Sequence, residues 1–111
     1  MSRDHVYLQH IVDAIQKIDL YTAVGREEFF ASTHWQDGVI RQLEIIGEAA
    51  KRLSEDLRER YSDIPWRRIC GLRDVLIHNY MGVDLNAVWE IAQTRIPTLK
   101  TQIELIIREA E

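Results

Sequence analysis

Among the residues able to do chemistry, Arg73, His78 and Tyr80 stand out, because a guanidinium, an imidazole and a phenol fall within one short run. An arginine offers a planar fork of donors that matches phosphate oxygens and stays charged at every physiological pH. A histidine can take or give a proton near neutrality. On a helical wheel Ile69, Cys70, Leu76, Ile77 and Tyr80 share one arc, and Arg73 lands in its middle, which places a charge on the side that should face the core. An unpaired guanidinium there is costly, so Arg73 needs a carboxylate such as Glu44 or Glu48, a partner subunit or an anionic ligand. Arg73 and Tyr80 are nearly eclipsed on a regular helix, but His78 lies about 140° from Arg73. To bring all three to one point, either the helix frays near His78, with Gly82 ending it, or a symmetry-related copy supplies the missing side chain. Asp74 sits one helical turn before His78 and can orient the imidazole or raise its basicity.

The elements that must position these residues read as helices throughout. Leu8, Ile11, Val12, Ile15 and Ile18 recur at helical spacing and predict a first helix from about Asp4 to Thr22, with Gly25 as its stop. Residues 26–33 suit a brief second helix that seats Phe29 and Phe30. Val39, Leu43, Ile46, Ala50, Leu53 and Leu57 form one stripe opposite Arg41, Glu44, Glu48, Arg52 and Glu55, which predicts a long amphipathic helix. Gly47 inside it marks a close approach of another helix, since glycine there costs about 1 kcal/mol against alanine. Asp63, Ile64 and Pro65 close that element, and a fourth helix starts near Trp66. Asp84 is a natural N-cap for a last helix whose apolar face runs from Leu85 through Ile96 and Leu99 to Ile107, kinked at Pro97. No strand alternation, repeat or low-complexity tract appears. The expected fold is all-α, a single domain over residues 1–111 built as a bundle of four to five helices.

Composition narrows the function classes. A chain of 111 residues that is 46% apolar and 29% charged suits one globular core rather than disorder. Residues 1–10 are too polar for a secretory signal and no stretch is apolar enough to span a bilayer, so a cytoplasmic address without membrane attachment is expected. Cys70, the only cysteine, excludes an internal disulfide and is expected to pack in the core. The net charge of −4 argues against nucleic-acid binding by overall attraction. Yet Arg58, Arg60, Arg67, Arg68 and Arg73 outnumber Glu59, Asp63 and Asp74 in the middle, which favours a local anionic ligand. His5, His10, His34 and His78 are scattered and no compact carboxylate cluster has ligand spacing, so neither a metal nor a cofactor is expected. Glu48 is expected to pair with Arg52 on a solvated face.

The run Arg73-Asp74-Val75-Leu76-Ile77-His78-Asn79-Tyr80 reads Arg, four residues, His, any residue, Tyr, and resembles the signature of the HEPN-domain ribonucleases. The blocks Arg41-Gln42-Leu43-Glu44-Ile45-Ile46-Gly47-Glu48-Ala49, Ile64-Pro65-Trp66, Gly71-Leu72-Arg73 and Val83-Asp84 look like the HepT-type toxin branch, and the likeness covers nearly the whole chain. The resemblance implies a HEPN-like fold and a homodimeric toxin that cuts RNA without a metal. It also implies an MNT-type nucleotidyltransferase antitoxin that adds AMP to the motif tyrosine, as in type VII toxin–antitoxin systems. Carried over, Arg73 and His78 are the catalytic pair and Tyr80 is the substrate-binding or modified residue, with Asp74 and Asn79 in support. AMP on Tyr80 would add bulk and negative charge where an RNA phosphate must sit, an off switch. A rival expectation is a non-catalytic helical module that binds substrate for, or regulates, a nucleotidyltransferase. A third is a structural homodimer anchored by Trp35, Trp66 and Trp89, with Ile45, Ala49 and Ile91 available to cover a second helix or a second subunit.

Overall fold

The computed structural model describes residues 3–72 and 84–110, and every regular element among them is helical. Helix α1 (Asp4–Thr22) buries Leu8, Ile11, Ile15 and Ile18, which step by three and four along one side. Thr22 closes it, its hydroxyl donating to the Ile18 carbonyl at 2.8 Å. Gly25 then turns the chain at φ 95° and ψ 160°, a conformation that residues with a Cβ rarely adopt. Helix α2 (Arg26–Ala31) is short and seats the two expected rings. Phe29 is fully buried and meets Phe30 edge-on at 5.3 Å and Trp89 at 5.1 Å, while the Arg26 guanidinium lies 4.6 Å above Phe30.

Helix α3 (Thr33–Lys51) lies along α1 and turns Val39, Leu43, Ile46 and Ala50 inward, with Gly47 also on the buried side. The stripe that predicted one helix as far as Leu57 is interrupted. After Lys51 the chain bends, and α4 (Glu55–Arg60) starts anew with Ser54 as its N-cap. The Ser54 hydroxyl accepts the Leu57 N–H at 3.2 Å and donates to the Asp4 carboxylate at 2.6 Å, while Asp4 also accepts the Ser54 N–H at 2.7 Å. A serine side chain that satisfies a free backbone donor and a carboxylate together favours a new start over continuation, although Leu53 and Leu57 keep the apolar register.

Pro65 begins α5 (Trp66–Cys70) through a tight turn in which the Trp66 N–H reaches the Ile64 carbonyl at 2.8 Å. Helix α5 packs on α3. Trp66 is buried and its Nε1–H donates to the Tyr61 carbonyl at 3.1 Å, so it serves the core. Trp35 and Trp89 are half-buried against that same core. Beyond residues 73–83, Asp84 caps α6 (Leu85–Glu90) as predicted. Helix α6 passes into a π-helical turn (Ile91–Arg95) and then α7 (Ile96–Ala110), giving one continuous rod. The bend expected at Pro97 takes this form because the proline ring would collide with the carbonyl four residues back and brings no N–H, and a widened turn relieves both. Helix α7 buries Ile96, Leu99, Ile103 and Ile106 against α1. One cluster of buried side chains draws on α1, α2, α3, α5, α6 and α7 and takes in Ala49 and Ile91, which the chain therefore covers itself. Ile45 packs half-buried against it.

Candidate functional site

Arg73, Asp74, His78, Asn79 and Tyr80 lie outside the described residues, so the structure gives the frame around the predicted site. On the upstream side, Trp66, Ile69 and Leu72 are buried, which fixes the chain to the core up to the residue before Arg73. On the downstream side, Oδ1 of Asp84 accepts the N–H groups of Asn86 and Ala87 at 3.0 and 3.2 Å, and Val88 is fully buried four residues later. The described residues that flank the motif are thus anchored, Leu72 by apolar packing and Asp84 by a helix cap.

Grooves on the described surface take in several of the charged residues singled out in the sequence. Alongside α1 and α3, a groove of about 420 Å³ is lined by Tyr7, His10, Arg41, Glu44, Glu48 and Arg52. Here Glu48 pairs with Arg52 at 3.6 Å as expected, and both side chains are at least half exposed, so the pair contributes about 0–1 kcal/mol. Beside α4 and α5 an open cleft of about 700 Å³ takes in Lys51, Arg58, Arg67 and Cys70 together with Glu55 and Glu59. Cys70 packs half-buried against the core, as predicted, and burial pushes its thiol up more than the nearby Arg58 and Lys51 charges pull it down. The Nε of Arg58 is buried there without a hydrogen-bond partner among the described residues.

Between α5 and the π-turned rod lies a third groove, of about 230 Å³, whose lining includes Leu72. Its cations are Arg68 from the basic middle of the sequence and Arg95 from the rod. Neither forms an ion pair among the described residues, where the salt bridges are Arg52 with Glu48 and Lys100 with Asp19. Sequence reasoning named Arg68 in the basic stretch but missed Arg95, which only the fold brings alongside. The one available signal was its place just before Ile96 and Pro97, where the register must bend.

His10 meets the Tyr7 ring edge-on at 5.9 Å and His34 meets Trp35 at 4.8 Å, so both imidazoles have packing partners. Among the described residues no group of three or more His, Cys, Asp or Glu side chains gathers as a metal site. No helix among them is long and apolar enough to cross a membrane.

A sequence profile for the family described as "Ribonuclease HepT-like" matches residues 11–106. A Thermococcus cleftensis protein named as a probable ribonuclease HepT is 42% identical over 106 residues, covering 94% of this chain and 96% of that one. A provisionally named RNase of Caldanaerobacter subterraneus subsp. tengcongensis is 36% identical over 110 residues, with 98% of each chain covered. A Methanocaldococcus jannaschii protein, named as a gamma-glutamylcyclotransferase together with a provisional RNase, is 46% identical over 107 residues. That match covers 96% of this chain but 48% of the relative, so the chain spans about half of that protein's length. No solved structure matches.

Proposed function

From the premise that this chain belongs to the HepT-like ribonuclease family, we propose that it is a toxin that cleaves RNA through Arg73, His78 and Tyr80. The observation that carries the proposal is the Arg-x4-His-x-Tyr run, which falls inside the matched stretch and between two firmly held chain ends. The chemistry suits these side chains without a metal. The ribose 2′-oxygen attacks the adjacent phosphorus, the bond to the 5′-oxygen breaks, and one proton leaves the nucleophile while another reaches the leaving oxygen. His78 serves one of these transfers, a role worth about 10² to 10⁴ in rate. Arg73 holds the phosphate oxygens as negative charge gathers on them. Tyr80 donates a hydrogen bond to the substrate, with Asp74 and Asn79 supporting the two catalytic groups.

In the same proposal the chain acts in the cytoplasm as a homodimer and folds as one domain, which the shared apolar core supports. A nucleotidyltransferase antitoxin silences it by adding AMP to Tyr80. The test is RNA digestion by purified protein in the presence of a chelator. Wild type cleaves, and His78→Ala loses at least a hundredfold with an unchanged circular-dichroism spectrum. Equal cleavage by the variant would overturn the assignment of His78, and absence of cleavage by wild type would overturn the nuclease reading. Incubation with the cognate transferase and ATP adds one AMP to the intact mass of wild type and none to Tyr80→Phe.

A further inference from the structure

The groove between α5 and the rod has a composition that neither core packing nor the motif explains. Its floor is aliphatic, made by Ile69, Leu72, Ile91 and Leu99, each no more than 7% exposed. Its rim is polar, with Arg68 on one side and Thr94, Arg95 and Thr98 on the other. No acidic side chain among the described residues lines it, although acids outnumber bases in the chain, 18 to 14. Two exposed guanidinia without carboxylate partners among the described residues, framing an apolar strip, leave an anion with a flat apolar body as the fitting occupant.

The π turn that accommodates Pro97 bears on the same groove. It supplies Ile91, Thr94 and Arg95 to the groove, and a π turn inside an α-helix recurs at functional positions because it re-aims the side chains it carries. Size narrows the occupant further. A volume of about 230 Å³ lies below the range of roughly 300–1,000 Å³ usual for drug-sized ligands and matches one ring system. A second copy of this chain docked here about a two-fold axis would bring its own Arg68 and Arg95 towards these, which like charge disfavours. Last, the lining includes Leu72, the residue before Arg73.

The geometry points to a nucleotide subsite: the groove holds one unpaired nucleotide of the RNA strand next to the phosphate being cleaved. The base lies on the aliphatic floor, and Arg68 and Arg95 grip its phosphate or stack on its ring. This inference rests on the ribonuclease reading and assigns Arg68 and Arg95 as positioning residues that act on binding rather than on proton transfer.

The experiment measures binding of a labelled single-stranded RNA oligonucleotide in the His78→Ala background, and cleavage of the same RNA by chains that keep His78. Arg68→Gln and Arg95→Gln each weaken binding about tenfold, the loss expected for one charge-assisted contact. Each also flattens the dependence of log affinity on log salt by about 0.7, as for one phosphate contact on a single strand. In cleavage they raise KM more than they lower kcat. Thr98→Phe fills the groove from an exposed position and blocks binding. Lys17→Gln, an exposed charge on α1 that lines none of these grooves, leaves binding and salt slope as they were. Unchanged affinity and slope in both arginine variants would overturn the subsite. So would a Thr98→Phe protein whose sedimentation changes while its RNA affinity does not, since a second copy of the chain would then be the occupant. If wild type binds RNA through these residues without cleaving it, the ribonuclease reading fails and the groove assignment is judged on binding alone.

Discussion

Removing the Asp84 carboxylate tests whether this residue, which closes the motif segment, caps a helix or takes part in catalysis. Its Oδ1 accepts two backbone N–H groups at 3.0 and 3.2 Å, and its backbone is extended at φ −72° and ψ 99°, the geometry of an N-cap. Loss of such a cap costs about 1 kcal/mol, within a range of roughly 0.5–2. The negative charge at a helix start adds about 0.3–1 kcal/mol. Asp84→Ala should therefore lose about 1–2 kcal/mol. The loss should register globally, because α6 continues through the π turn into α7 and Val88 is fully buried one turn past the cap. For a chain of this length that lowers Tm by roughly 4 °C per kcal/mol. Asp84→Asn keeps the acceptor and loses only the charge, so it should retain most of the stability and nearly all of the RNA cleavage. Urea titrations give the first quantity, and cleavage assayed well below each variant's midpoint gives the second. The reasoning is refuted if Asp84→Asn keeps its stability but loses cleavage as fully as His78→Ala, for the carboxylate charge would then belong to the chemistry.

Other expectations follow from single contacts. Phe29→Ala should cost about 3–5 kcal/mol in a denaturant titration, because a fully buried ring that packs against Phe30 and Trp89 leaves a cavity that rigid neighbours fill poorly. Tyr61 donates to Oε1 of Glu109 at 2.8 Å, and that bond raises the phenol above its ordinary value of 10.0. Its contribution to stability is therefore present in full below pH 10 and fades as pH rises through the raised value, so the stability gap between wild type and Tyr61→Phe should shrink above that pH. Burial raises the Cys70 thiol, so alkylation by iodoacetamide at neutral pH should run slower than that of free glutathione. A faster reaction would contradict the packing seen around it.

Helix α1 was legible almost to the residue because Leu8, Ile11, Ile15 and Ile18 bury one side and a glycine stops the chain soon after. The break before α4 was not, since Leu53 and Leu57 continue the apolar stripe and only Ser54 signals a restart, through a carboxylate contributed by Asp4 from the far end of the sequence. Pro97 announced a bend without saying how the backbone would absorb it, and a π turn upstream was one of several solutions. As for the candidate site, residue types and spacing were readable for Arg73, His78 and Tyr80, which lie outside the described residues, and their roles belong to the proposal. The pairing of Arg68 with Arg95 across a groove was invisible in the sequence because α5 and the rod meet only in the folded chain.

The contacts of Asp4 with Ser54 and of Glu109 with Tyr61 bring the beginning of α1 and the end of α7 to the two ends of one short helix, α4. A circularly permuted gene, with the old ends bridged by a few flexible residues and new ones opened in an exposed turn, should preserve every buried contact. The same convergence means that a segment joined ahead of α1 and one joined after α7 would leave the described fold from a common pole.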